Sequence, residues 1–114
     1  MKLLKDGKTL IENLVIAETL WTRTKGLLGR ESLPDNEALW IMRCNSIHTY
    51  FMKFPIDVVF VNKSMKVIDT GTVKPGKLIF PVWRASSVIE FKAGFLAKNP
   101  ISAGDVLHVD RTVS

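Results

Sequence analysis

Between Arg43 and Asp57 the chain gathers most of the side chains that could do chemistry. The segment holds a thiol (Cys44), an imidazole (His48), a phenol (Tyr50), a thioether (Met52), two cations (Arg43 and Lys53) and a carboxylate (Asp57). Three uses of these groups can be weighed. A thiolate nucleophile needs a base or cation to lower its pKa and a third group for orientation. Cys44, His48 and Asp57 supply those types, so a small hydrolase or transferase using Cys44 with His48 is one reading, although the spacing fits no nucleophile elbow. In the second use, Cys44, His48 and Met52 recur every four residues and would share one face of a helix. Thiolate, imidazole and thioether together suit Cu(I). The stretch is rich in β-branched and aromatic residues, however, and Pro55 disfavours helix at Phe54, so no metal is expected. The third use is structural. His48 and Thr49 satisfy the backbone of a long loop, Tyr50, Phe51, Met52 and Phe54 plug one end of a barrel, and Asp57 caps loop amides or pairs with Arg43 or Lys53.

A second concentration is Pro81-Val82-Trp83-Arg84. An aromatic beside an arginine combines contact area, stacking and planar hydrogen bonding, as binding sites do. The alternative has Trp83 covering the core and Arg84 facing water. The candidate binding or functional residues are therefore Arg43, Cys44, His48, Met52, Lys53, Asp57, Trp83 and Arg84, with no catalytic residue assigned. Gly-rich phosphate loops and glycosidase-like carboxylate pairs are absent, and no cofactor is expected.

The elements that must position these residues are short. Asp6-Gly7 is a strong turn signal inside a hairpin over residues 1–16, with a bulge or second turn at Glu12-Asn13. Residues 19–29 read as a helix with Thr19 as N-cap, a stripe of Leu20, Leu27 and Leu28, and Gly29 as its stop. Trp21 and Trp40 read as core. Strands are expected at 38–42, 57–61, 66–70, 87–92 and 106–109. The run from Asp57 to Val61 is to be buried on both faces, with 66–70 as its antiparallel partner. In 87–92, Ile89 and Phe91 alternate against Glu90 and Lys92. Residues 71–81 read as irregular because Pro75-Gly76 turns the chain and Pro81 excludes a central strand. One helical turn fits 93–98, ended by Asn99-Pro100. Many short strands with few helical residues between them imply a mainly β (α+β) fold. The expected form is an antiparallel sheet curled into a compact, partly closed barrel with one or two short helices.

The chain has 114 residues, enough for one domain with its own core, and 46% of them are apolar. Its apolar runs are far shorter than the ~20 residues a membrane span needs. Nothing at the N-terminus reads as a secretory signal, so a cytoplasmic location is expected, with an exported mature fragment as the alternative. Cys44 is the single cysteine, so no internal disulfide can form. The net charge of +5 is uneven: residues 43–98 hold nine Lys/Arg against three Asp/Glu. That excess reads first as a solvated surface with spaced lysines, and the sharper reading is an anionic partner. The cations are dispersed, so nucleic acid is not the expected one, and weak RNA binding ranks third among the readings.

The segment Cys44-Asn45-Ser46-Ile47-His48-Thr49-Tyr50-Phe51-Met52-Lys53-Phe54-Pro55-Ile56-Asp57-Val58-Val59-Phe60 closely resembles the signature of the prokaryotic family known as domain of unknown function 192. Thr22 through Arg30 resemble that family's Arg-x-x-Gly-Leu/Met motif, Ser87 through Gly94 its Leu-Glu-x-x-Ala-Gly motif, and Ile101 through Asp105 its closing Gly-Asp. The resemblance spans roughly residues 8–110. It implies a compact, mostly β domain and no established reaction, cofactor or catalytic residue. Phe54 stands where the family usually has Asn, so any role of that side chain does not transfer. Composition and resemblance together favour a non-enzymatic binding or accessory module that recognises an anionic ligand or a protein partner. The His48–Asp57 and Trp83-Arg84 loops would share one end of the sheet.

Overall fold

Asp6 and Gly7 both have positive φ, 52° and 76°, as a two-residue hairpin turn requires. They join β1 (Lys2–Lys5) to β2 (Lys8–Ile11). The structure is a computed structural model and describes residues 1–18 and 30–112. The helix expected over 19–29, with Trp21, lies outside the described residues. The chain continues through β3 (Asn13–Ala17), β4 (Glu37–Met42), β5 (Ile47–His48), β6 (Ile56–Val61) and β7 (Val67–Val73). It ends with β8 (Leu78–Ile79), β9 (Ser87–Lys92), the short helix α1 (Phe95–Lys98) and β10 (His108–Asp110). The fold is mainly β. No helix of the described residues is long and apolar enough to cross a membrane.

Three sheets result: β10-β1-β2, β3-β4-β9-β6-β7 and the ribbon β5-β8. Three expectations change. First, β3 and β4 pair in parallel. A parallel neighbour needs a long connection in the chain, and β3 ends at Ala17 while β4 begins at Glu37. Second, strand pairing among the described residues does not close the five-stranded ladder, which ends at β3 and β7, so barrel closure is not seen. Third, 71–81 is not wholly irregular. β7 runs on to Val73 opposite Ile56, and Leu78-Ile79 pair with Ile47-His48. Pro81 does stay outside every strand.

β6 is buried along its whole length, because both faces of its sheet are covered. Val59 and Val61 point into a core with Trp40, Ile89, Phe91 and, from the other sheet, Leu3 and Ile11. Val58 and Phe60 point to the opposite core with Ile41, Val88, Leu33 and Met52. The period of two thus divides one strand between two apolar layers.

Asp57 is the polar exception in β6, with 1% of its surface exposed. Its Oδ1 accepts from the Thr72 hydroxyl at 2.7 Å, and its Oδ2 accepts from the N–H groups of Gly94 (3.2 Å) and Leu96 (2.9 Å). The carboxylate therefore holds the start of α1, against the expectation that it caps its own loop or pairs with Arg43 or Lys53. The register explains this: Asp57 lies opposite Thr72 on one side and Phe91 on the other, close to where the chain leaves β9 for α1. Asp57→Asn should destabilise the protein by about 1–3 kcal/mol, because a buried charge-assisted acceptor becomes a poorly matched amide. Urea unfolding measures this as a lower midpoint at unchanged slope, and an unchanged midpoint would refute the role.

Candidate functional site

The segment after β4 and the segment before β9 lie side by side and are laced together by backbone hydrogen bonds. Cys44 N–H donates to the Ser86 carbonyl (3.0 Å), and Val82 N–H donates to the Asn45 carbonyl (2.7 Å). The β5–β8 ribbon continues the lacing, with Ile47 opposite Ile79 and His48 opposite Leu78. Thr49 closes it. Its N–H donates to the Lys77 carbonyl, and its own carbonyl accepts from Gly76 N–H, both at 2.8 Å. Its buried hydroxyl donates to the Lys74 carbonyl (2.6 Å) and accepts from Lys77 N–H (2.8 Å). Residues 43–56 and 70–89 thus form one continuous rim.

The eight residues singled out from the sequence divide among three environments. Met52 is buried in the second core and Asp57 is spent on α1, so neither faces the rim surface. Cys44 is half-buried and donates from Sγ to the Ser46 carbonyl at 2.8 Å. It lies in a shallow cleft of about 280 Å³ with Arg43, Asn45, Ala85 and Ser86. Arg43 donates to the Glu18 carbonyl. His48 is exposed and stacks on Tyr50 with ring centroids 5.3 Å apart. Lys53 pairs with Glu31. Trp83 and Arg84 are both exposed, with the guanidinium 5.6 Å from the indole centroid. The Cys44-His48-Met52 spacing gives no common face, since the stretch contains a strand and turns and no helix.

The aromatic plug expected at 50–54 is half present. Met52 is buried and Phe54 partly so, but Tyr50 and Phe51 point outward, 43% and 90% exposed. Leu78 (51%), Phe80 (78%) and Trp83 (67%) join them. Five of the seven large exposed apolar residues in the described structure therefore belong to this rim. Leu78 and Phe80 were missed in the sequence because 71–81 reads as irregular. The i, i+2 spacing of Leu78 and Phe80 was the available signal. Three rim residues, Arg43, Phe51 and Arg84, hold left-handed backbone, with φ 50°, 66° and 71°. Such strain persists in a bulky residue only where surrounding bonds over-determine the turn.

The charge on the rim has one sign. Residues 43–56 and 70–89 contain Arg43, Lys53, Lys74, Lys77 and Arg84 and no Asp or Glu. These five cations equal the net charge of the whole chain, +5, so everything outside the rim balances to zero.

Glu90 is a further polar group that the alternation in β9 misassigned. It is buried, between Leu39 of β4 and Val58 of β6 in the register. Burial pushes its carboxyl up to about 7. The central position of β9 causes this, since a strand covered on both faces leaves no wet side for a carboxylate.

The sequence model of the DUF192 family, an uncharacterized ACR, matches residues 1–109. A UPF0127 protein of Pyrococcus furiosus is 31% identical over 112 residues, covering 94% of this chain and 95% of its own length. A UPF0127 protein of Thermococcus kodakarensis is 31% identical over 107 residues, covering 89% and 67%. Among solved structures, a protein of unknown function from Novosphingobium aromaticivorans is similar at TM-score 0.74 and 21% identity, covering 84% of this chain and 74% of that one. A Sinorhizobium meliloti 1021 protein is similar at TM-score 0.77 and 19% identity, covering 94% and 89%. At such identities the two structures speak to the fold alone.

The buried carboxyl sets a pH dependence. Its folded pKa of about 7 exceeds the ordinary 4.5, so the folded state keeps a proton that the unfolded chain has already lost. The stability from Glu90 is whole below pH 4.5 and falls as pH rises towards and through 7, by about 3 kcal/mol in all. Glu90→Gln should flatten this part of the stability-pH curve, measured by urea unfolding from pH 4.5 to 8. An unchanged slope would show that the carboxyl ionises freely in the fold.

Proposed function

This chain belongs to the DUF192 family, and we propose that it is a non-enzymatic binding module whose recognition surface is the rim of residues 43–56 and 70–89, directed at an anionic partner. One observation carries the reading: exposed aromatics and five cations, with no Asp or Glu among them in the sequence, coincide on the same two hydrogen-bonded segments. Exposed apolar residues scattered singly mean little, whereas a rimmed cluster marks an interaction site. Aromatics and Arg are the side chains that interfaces favour. A patch of one sign steers an oppositely charged partner and excludes like-charged ones.

The lacing supports the reading from the side of pre-organisation. A rim held by Thr49 and the β5–β8 ribbon loses little entropy on binding. Arg84 beside Trp83 offers a planar donor set over a stacking surface, suited to carboxylate or phosphate. Lys74 and Lys77 flank the turn that Thr49 secures.

Soluble polyglutamate is a simple anionic probe. The protein should bind it in a salt-sensitive manner. The triple variant K74E/K77E/R84E should lose about tenfold or more in affinity, while the charge-matched control K2E/K5E/K8E on the first hairpin stays within about twofold. Calorimetry or fluorescence anisotropy reads both. Equal losses in the two variants would mean that only overall charge matters, and the rim reading would fail.

A further inference from the structure

Resting on that reading, we infer that the anionic partner is the headgroup face of a bilayer containing anionic phospholipids, and that the rim is a peripheral membrane-docking surface. The aromatics argue for this occupant over an acidic protein segment. Phe51, Phe80 and Trp83 keep two-thirds or more of their surface in water, so they project from the fold. A folded partner would need a matched pocket for each projecting ring. A bilayer interface accepts them without shape matching, because aromatic rings partition to the boundary between headgroups and acyl chains.

The geometry meets the other requirements of such a surface. The rings come from two chain segments fixed to each other, at the 49–52 turn and in residues 78–83, which gives a multi-point contact that no single loop supplies. Tyr50 adds a ring with a polar edge, which suits the headgroup level. Lys74, Lys77 and Arg84 lie on the segment that carries Phe80 and Trp83, and neither rim segment contains an Asp or Glu, so attraction to a negative leaflet outweighs repulsion from Glu31, which pairs with Lys53. Shallow aromatic insertion together with a few cations gives reversible association, each cation near the surface contributing roughly fivefold in affinity.

Co-sedimentation of the full chain with phosphatidylcholine vesicles, with and without phosphatidylglycerol, tests this, with polyglutamate binding measured in parallel. Binding to the anionic vesicles and weak binding to the neutral ones is the expected result. F51A/F80A truncates two exposed rings that contribute little to the fold. It should lose about tenfold or more of vesicle affinity, a larger loss than it shows with polyglutamate, which offers no acyl region for the rings to enter. K74E/K77E should lose both. Binding of polyglutamate at the rim without binding to anionic vesicles would overturn the membrane inference and point to an acidic protein segment instead, leaving the rim as a recognition surface. Binding of neither probe would overturn both. Vesicle binding unaffected by F51A/F80A would overturn the inference as well, since insertion of the rings is its basis.

Discussion

Thr49 is wholly buried and satisfies four hydrogen-bonding roles with residues 74–77, two through its backbone and two through its hydroxyl. The display of the rim depends on this clamp. A turn that carries Tyr50 and Phe51 outward gains nothing from their burial, so polar bonds must set its conformation. Buried donors and acceptors are costly to leave unpaired, which makes the clamped arrangement the one the chain keeps. The β5–β8 ribbon has two residues on each strand and could not persist alone. It persists because Ile47 enters the second core and Thr49 fixes the end of the ribbon.

Beneath the rim, the five-stranded sheet is a rigid platform with a core on each side. Sandwiching β6 and β9 leaves two carboxylates out of water, and the fold treats them differently. Asp57 receives three donors and anchors α1. Glu90 is set apart by burial and holds its proton near neutral pH. Of the side-chain hydrogen bonds described for the two, only the one from Thr72 to Asp57 comes from a rim segment. The Cys44 thiol, half-buried against the Ser46 carbonyl, lies at the junction of the two laced segments.

The parts of the fold that rest on local rules were legible in the sequence. Asp6-Gly7 demanded a hairpin, the unbroken run into Val61 demanded a strand covered on both faces, and Asn99-Pro100 ended the one-turn helix. The parallel pairing of β3 with β4 was not legible, because it depends on a long crossover whose path no local pattern fixes. Two-residue strands such as Leu78-Ile79 carry too little periodicity to separate from loop. Glu90 and Phe51 show the same limit from opposite sides. Alternation placed a glutamate in water and loop logic placed a phenylalanine in the core, and tertiary context reversed both. Of the candidate site residues, the Trp83-Arg84 pair and His48 lie on the exposed rim, whereas Met52 and Asp57 serve the interior. Their types could be read from the sequence, but not which way they point.

The most direct test of the rim as a membrane-docking surface is an amide NMR map of the isotopically labelled protein titrated with bicelles containing phosphatidylglycerol. Perturbations confined to residues 43–56 and 70–89, strongest around Phe51, Phe80 and Trp83, are what the structure predicts. Perturbations spread over Lys2, Lys5 and Lys8 as strongly as over the rim would contradict it, as would a spectrum left unchanged.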